Sequence, residues 1–346
     1  MTTLVPLPPQ PAGTPWPTQD WPAGDVPATA DKRRLVQLVD YAFTPTLPDD
    51  LRETHALVVI QGGRLVAERY GAGVTAADTL ASWSVAKSIT QAVMGLVVKD
   101  GLADIAAPIA VPEWPPGDPR RAITLDQMLR MSSGLAFLEV YTQDQPSDTI
   151  AMLFGEGKDD VAHYAAQKPL EHAPGSFWSY SSGTANLVAR AAAIAIAKSG
   201  ADFEGYMRAR LFAPLGMASP LPKFDAAGTF IGSSYCFATA RDFARFGLLY
   251  LRDGIWDGAR LLPEGWVDYA RTPTWQQPGD SGRYGAHWWL DLAGPGCFSA
   301  NGFQGQYVVI VPDRDLVIVR LGATPDDTLR PVKDWIGAIA ECFPRL

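Results

Sequence analysis

The stretch Gln306-Tyr-Val-Val-Ile-Val-Pro-Asp-Arg-Asp-Leu-Val-Ile-Val-Arg320 decides the fold of this 346-residue chain. It contains two apolar runs rich in valine and isoleucine, which favour β-strands. The Pro-Asp-Arg segment at 312–314 between them is typical of a tight turn, which joins neighbouring antiparallel strands. Shorter β-like runs at 287–291 and 298–300 precede this hairpin. The sequence therefore predicts successive antiparallel strands near the C-terminus.

A second hairpin is predicted near the N-terminus. The β-rich runs 56–60 and 64–70 flank a Gly-Gly turn, and two glycines between such runs are a strong hairpin signal. Apolar residues at helical spacing predict a helix over 31–41 and an amphipathic helix over 329–339. We infer an α+β fold in which both ends of the chain build one antiparallel sheet flanked by helices.

Between these ends, the sequence predicts a mostly helical region. Its first helix covers 84–99 and ends at Asp100-Gly101, where glycine supplies the C-cap. Further helical patterns alternate with loops rich in proline and glycine. The clearest of these patterns cover 125–131, 184–198, 203–211 and 240–252.

We predict that the chain has three parts. Residues 1–29 form a proline-rich extended arm, because proline fits neither a helix interior nor a central strand. Its two tryptophans indicate that the arm lies against the body of the protein. Residues 30–80 and 284–346 form a sheet domain, and residues 81–283 form an inserted, mostly helical domain. The cleft between these two layers is the expected substrate site.

The composition narrows the possible functions. Hydrophobic residues make up 47% and charged residues 19%, which are values for a globular protein. The net charge of −8 and the lack of a long basic run argue against nucleic-acid and membrane partners. No apolar run reaches the ~20 residues that span a bilayer. Three scattered cysteines (Cys236, Cys297 and Cys342) and an N-terminus without a secretion signal predict a cytoplasmic protein with reduced thiols.

The segment Ser82-Trp-Ser-Val-Ala-Lys-Ser88 contains a candidate catalytic pair. Residues three apart share a helix face, so the Ser84 hydroxyl and the Lys87 amine approach each other. Ser84 opens the predicted helix, where free N–H groups stabilise developing negative charge. Apolar neighbours withdraw Lys87 from water, which lowers the pKa of its amine and makes it a base. A Ser-x-x-Lys pattern alone also fits an ordinary surface helix.

Two further segments are candidates for the same site. Tyr180 lies in the Gly/Ser-rich loop 174–183, where its phenol can relay a proton between Ser84 and a leaving group. The Gly-rich segment 301–306 precedes an apolar strand, and the N–H of Gln306 can complete an oxyanion hole with the N–H of Ser84. Taken singly, a core tyrosine and a Gly-rich bulge explain these two segments equally well.

The three motifs occur along the chain in the order Ser-x-x-Lys, Tyr-x-Ser and Gly-rich strand edge. In this order the chain resembles the class C β-lactamases and penicillin-binding-protein-like serine hydrolases. The stretches 125–134 and 239–247 also look like signatures of that superfamily, in which the esterase and 6-aminohexanoate-dimer (nylon oligomer) hydrolase branch is the most similar. The resemblance implies a β-lactamase/transpeptidase-like fold. It also implies that Ser84 is the acylated nucleophile, Lys87 its base and Tyr180 the proton relay.

The same resemblance indicates which residues contact the substrate. Ser182 takes the third place of a Tyr-x-Asn motif, and the Phe-Gln-Gly segment 303–305 takes the place of Lys-Thr-Gly. The expected substrate contacts are Ser182, Phe303, Gly305, Tyr141 and Trp289.

Two of these positions depart from the family pattern. A serine at 182 makes a shorter and weaker contact with Lys87 than asparagine does. Phe303 lacks the charge that binds the carboxylate of a β-lactam or a peptide terminus. The substrate expected from the sequence is therefore a small ester or amide rather than an antibiotic or a cell-wall peptide.

The predicted reaction is hydrolysis through an acyl-enzyme on Ser84. We expect neither a cofactor nor a metal site, and the sequence does not predict the oligomeric state. One alternative is an amide hydrolase for 6-aminohexanoate oligomers. Another is a catalytically weak binding or scaffold protein that keeps the fold. A Ser-His-Asp triad is not favoured, because none of the four histidines lies in a nucleophile-elbow motif.

Overall fold

The computed structural model describes residues 4–44, 46, 48–141, 145–280, 282–325 and 328–346. The α-helices within these ranges are Lys32–Ala42 (α1), Val85–Lys99 (α2), Leu125–Leu129 (α3), Asp148–Phe154 (α4), Val161–Ala166 (α5), Ser182–Ala195 (α6), Gly200–Met207 (α7), Ala240–Leu251 (α8), Trp266–Arg271 (α9) and Leu329–Glu341 (α10). The β-strands are Glu53–Gln61 (β1), Arg64–Tyr70 (β2), Leu221–Pro222 (β3), Cys236–Phe237 (β4), Ile255–Trp256 (β5), Ala259–Arg260 (β6), Arg283–Tyr284 (β7), Trp289–Leu290 (β8), Phe298–Gly302 (β9), Gln306–Val311 (β10) and Leu316–Ala323 (β11).

Seven strands form one antiparallel sheet in the order β2-β1-β11-β10-β9-β8-β7. Because β1 pairs with β11, strands from both ends of the chain are neighbours in one sheet, which confirms the predicted α+β fold. The turn between β1 and β2 consists of Gly62 and Gly63, with φ of 59° and 73°. Glycine adopts such positive angles at no steric cost, and a tight hairpin requires them.

Both faces of the sheet are buried. Val58 and Ile60 of β1 pack into the larger core, with α2 and α8. Leu57 and Val59 pack on the opposite face, in the smaller core with α1 and α10. Alternate side chains of a strand point to opposite faces. A strand that is buried on both faces therefore consists of a continuous apolar run, as these strands do.

The predicted strand 287–291 is shorter in the structure. His287 and Asp291 adopt left-handed conformations, with φ of 56° and 63°. Extended strands require negative φ, so only the two residues of β8 pair with their neighbours. The turn at 312–314 is one turn of 3-10 helix.

Helix α8 connects the sheet to the proline-rich N-terminal segment. A side chain on Gly247 of this helix would lie 2.6 Å from a Val317 methyl carbon, so glycine allows the helix to approach the sheet closely. On the other side of α8, the Arg245 guanidinium donates hydrogen bonds to the carbonyl oxygens of Pro17 and Gln19, at 2.6 and 2.9 Å. The arm thus lies against the body, and the division of the chain into domains stays a prediction.

Candidate active site

Ser84 lies directly before α2, and its side chain is partly exposed. Trp83, the residue before it, has a φ of 42°, a conformation that non-glycine residues rarely adopt. The Ser82 hydroxyl supports this turn: it donates to the carbonyl oxygen of Ser234 at 3.1 Å and accepts from the N–H of Cys236 at 2.9 Å. The turn places Ser84 at the N-terminal end of a 15-residue helix, where backbone dipoles favour negative charge.

Lys87 lies one turn into the same helix and is only 1% exposed. Its ammonium donates hydrogen bonds to Ser84 Oγ at 2.9 Å, Ser182 Oγ at 3.0 Å and the carbonyl oxygen of Ser233 at 3.0 Å. Burial lowers the pKa of Lys87 to about 8, and the charge of Glu139 opposes this effect. A substantial fraction of the amine is therefore neutral near pH 8 and able to accept a proton.

Tyr180 approaches the pair from the loop before α6. Its ring centroid lies 4.7 Å from Lys87 Nζ, and its ring packs against Tyr284 and Trp289. Tyr180 and Ser84 line the same cleft. The structure thus brings together the three side chains that the sequence predicts to be catalytic.

Two cavities meet at Ser84. The larger, of 440 Å³, contains Tyr180 and Trp289 in its wall and opens towards charged side chains of α10. The smaller, of 280 Å³, is bounded by apolar residues of α4. Tyr141 and Phe303 line both cavities, with ring centroids 5.2 Å apart. The two rings therefore separate the cavities beside Ser84.

The other tryptophans near the motifs divide between the cleft and the core. Trp83 lines the smaller cavity. Trp178 and Trp288 are 8% and 0% exposed, and Trp288 packs against Tyr250 at a centroid distance of 4.4 Å. Trp178 and Trp288 are therefore core residues.

The structure does not bring Gln306 to the cavities beside Ser84. This residue pairs with Gly302 in the β9–β10 ladder, and its side-chain amide bonds both the N–H and the carbonyl of Gly322 in β11. It is buried behind the strand edge and does not line either cavity. The part of its N–H in an oxyanion hole with Ser84 stays a prediction.

Gly305 does not line either cavity, and its predicted contact with substrate stays a prediction. Gly305 lies in the turn between β9 and β10 and packs against the guanidinium of Arg320. Gly302 instead approaches the turn that carries Ser84: a Cβ atom on Gly302 would lie 2.4 Å from the carbonyl oxygen of Ser82. The edge of the site is thus the end of β9. The next residue along, Phe303, lines the cleft with Ser84.

The family model for beta-lactamases matches residues 49–340. The chain belongs to the beta-lactamase family. Over 310 residues, this beta-lactamase family member is 27% identical to a curated protein, the 6-aminohexanoate-dimer hydrolase of Paenarthrobacter ureafaciens. The aligned stretch covers 83% of this chain and 77% of the relative.

Solved structures support the same fold for this beta-lactamase family member. A protein from Bacillus anthracis, described as a candidate 6-aminohexanoate-dimer hydrolase, superposes with a TM-score of 0.77 and 22% identity, covering 98% of this chain and 90% of that one. A family VIII carboxylesterase superposes with a TM-score of 0.69 and 14% identity, covering 92% and 99%. At these identities the likeness shows the fold alone. In the ranges that the structure describes, no helix combines the length and the apolar character that crossing a bilayer requires.

One polar residue of this beta-lactamase family site does not follow from any sequence motif. Glu139, in the segment before α4, accepts hydrogen bonds from the Ser182 N–H and the Ser182 hydroxyl, both at 2.7 Å. The Tyr141 hydroxyl donates to the same carboxylate. Ser182 in turn accepts a hydrogen bond from Lys87. Ser182 therefore links Glu139 to the candidate base Lys87.

Proposed function

We propose that the protein is a serine hydrolase that cleaves small esters or amides through an acyl-enzyme on Ser84. The observation that carries this proposal is the 2.9 Å distance between Lys87 Nζ and Ser84 Oγ, at an amine that is almost fully buried. A buried lysine of lowered pKa can deprotonate a serine hydroxyl, which is a poor nucleophile by itself.

In acylation, Lys87 accepts the Ser84 proton while Ser84 Oγ forms a bond to the substrate carbonyl carbon. The N–H of Ser84, at the N-terminal end of α2, stabilises the negative charge on the carbonyl oxygen. The proton then passes from Lys87 through Tyr180 to the leaving oxygen or nitrogen as its bond to carbon breaks. In deacylation, a water molecule attacks the acyl carbon while one of its protons passes through Tyr180 to the neutral amine of Lys87. Lys87 then gives that proton to the Ser84 oxygen as the acyl bond breaks.

A p-nitrophenyl alkylphosphonate tests the nucleophile directly. Its phosphorus resembles the tetrahedral intermediate, so it should modify Ser84 covalently and release one nitrophenolate per chain. Peptide mass mapping is expected to find the added mass on the peptide that contains Ser84, and none in the Ser84→Ala variant. Modification of another residue, or no modification, contradicts the proposal and favours a binding or scaffold role.

The positions of the two cavities support an assignment of the two halves of the substrate. Tyr180, which donates the proton to the leaving group, lines the larger cavity and not the smaller one. The leaving group therefore occupies the larger cavity, and the acyl chain occupies the smaller one. Ile150, Leu153 and Phe154 of α4 line the smaller cavity, so an apolar acyl chain fits it.

We expect p-nitrophenyl hexanoate to be hydrolysed with a kcat/KM roughly 10–100-fold above that of the acetate, because four additional methylene groups leave water. Leu153→Trp should fill the smaller cavity and abolish this preference, while acetate is still hydrolysed. Leu221→Trp, at an exposed leucine of β3, is the matched control. If Leu153→Trp keeps the preference for hexanoate over acetate, the acyl chain does not occupy the smaller cavity.

A second candidate function is hydrolysis of 6-aminohexanoate oligomers, which the sequence relative from Paenarthrobacter ureafaciens favours. The acyl group of a 6-aminohexanoate oligomer ends in an ammonium ion, whereas the described lining of the smaller cavity contains no charged side chain. We therefore expect p-nitrophenyl 6-aminohexanoate to react more slowly than the hexanoate. Equal or faster reaction supports the second candidate.

A further inference from the structure

The three acceptors around Lys87 determine where its lone pair can point. A neutral amine has two N–H donors and one lone pair. The Ser233 carbonyl oxygen, 3.0 Å from Nζ, can only accept a hydrogen bond. Its position is held by Asn186, whose side-chain oxygen accepts from the Ser233 N–H at 3.0 Å. One N–H of Lys87 is therefore committed to Ser233.

The hydroxyl of Ser182 is different, because a hydroxyl can donate as well as accept. If it donated to Lys87, it would occupy the lone pair that must take the proton of Ser84. In the structure its single proton is directed to Glu139 Oε1 at 2.7 Å. The other carboxylate oxygen accepts the Ser182 N–H at 2.7 Å. Both donors of Ser182 thus point to one carboxylate, and the Ser182 oxygen is left to accept from Lys87.

We propose that Glu139 is a positioning residue: it holds Ser182 as a hydrogen-bond acceptor, so that the lone pair of Lys87 faces Ser84. This inference rests on the proposed function, because it concerns the base of that reaction. Glu139 itself does not line either cavity with Ser84. It acts through Ser182.

The charge of Glu139 has a second consequence. The groups that surround the Lys87 amine and its backbone are Glu139, Tyr180 and His287. The His287 Nδ1–H donates to the carbonyl oxygen of Lys87 at 2.9 Å. Burial lowers the pKa of His287 to about 3, so this ring is neutral in the range where the enzyme is assayed. Glu139 is therefore the anion that favours the protonated form of Lys87 and opposes the effect of burial.

Glu139→Gln tests both effects. An amide has one acceptor oxygen and no charge, so it satisfies only one of the two Ser182 donors. We expect kcat for p-nitrophenyl hexanoate to fall roughly 10–100-fold with little change in KM. Because the neutral amine is the active form, kcat/KM of the unchanged protein should rise with pH through the pKa of Lys87. Loss of the negative charge lowers that pKa, so the midpoint should move about 0.5–1 pH unit lower.

A double-mutant cycle separates positioning from simple damage to the fold. In the Ser182→Ala background there is no hydroxyl to orient, so Glu139→Gln should lower kcat much less than it does in the unchanged protein. The shift of the pH midpoint should persist there, since it acts through space. Glu264→Gln, at an exposed glutamate, is the matched control and should alter neither kcat nor the midpoint.

Three outcomes overturn the inference. They are an unchanged pH midpoint in Glu139→Gln, an unchanged kcat in that variant, and fully additive effects of the two substitutions. Each is distinguishable from failure of the proposed function, which would appear as activity that survives Ser84→Ala. Thermal unfolding followed by circular dichroism identifies a variant that has lost its fold. Glu139→Asp keeps the negative charge, so its pH profile should keep the midpoint of the unchanged protein.

Discussion

Ser84→Ala is expected to lower kcat/KM for p-nitrophenyl hexanoate by at least about 10⁴-fold, because it removes the atom that forms the acyl bond. The Ser84 side chain is partly exposed, and its hydroxyl accepts a hydrogen bond from Lys87. The substitution therefore leaves no cavity in the core. The midpoint of thermal unfolding should stay nearly unchanged, and steady-state kinetics at pH 8 measure the loss of activity.

Ser176→Ala is the matched control for this experiment. Ser176 is exposed, and its hydroxyl donates only to the carbonyl oxygen of Ala173 in the same loop. This loop leads to Tyr180, so the control also shows whether a substitution in the loop displaces Tyr180 and lowers activity. If Ser84→Ala retained the rate of the unchanged protein, the nucleophile would have to be another residue and the proposed reaction would be wrong.

Lys87→Met is expected to have the second largest effect, a fall in kcat of about 10³-fold, because it removes the general base. Methionine fills most of the volume of the lysine side chain in a site that is 1% exposed. The substitution also removes the group whose pKa burial lowers to about 8. The residual rate should therefore lose the rise with pH that we expect of the unchanged protein around pH 8. A pH profile of kcat/KM measures this change.

Lys99→Met provides a comparison on the same helix. Lys99 is the last residue of α2, is exposed, and donates to the carbonyl oxygen of Arg260. We expect it to keep both the rate and the pH profile. A Lys87→Met enzyme with an unaltered pH profile would show that another group takes the Ser84 proton.

The elements that were predicted correctly depend on local patterns. The Gly-Gly turn, the apolar run 306–311 and the helix that begins after Ser84 are each encoded within about a dozen residues. Spacing of three residues on a helix likewise places Lys87 beside Ser84. These features need no information from distant parts of the chain.

The sequence does not identify which residues of the segment 301–306 lie at the strand edge of the site, for a geometric reason. The segment 301–306 contains two glycines, and the sequence does not distinguish the one at the site from the one in the turn. Gln304 and Gly305 adopt φ of 60° and 82°, which turns the chain and places Gln306 on the next strand. Only the pairing of β9 with β10 determines that Gly302 meets the Ser82 carbonyl.

The sequence alone is sufficient to propose Ser84 as the nucleophile and Lys87 as its base, because the two residues are separated by about one helical turn. Tyr180 could be proposed from its loop, but its distance from Lys87 depends on how α6 packs. Glu139 is 43 positions from Ser182, and no local pattern connects them. Tertiary structure decided its contact with Ser182 and the separation of the two cavities, since both depend on packing between segments that are distant in the chain.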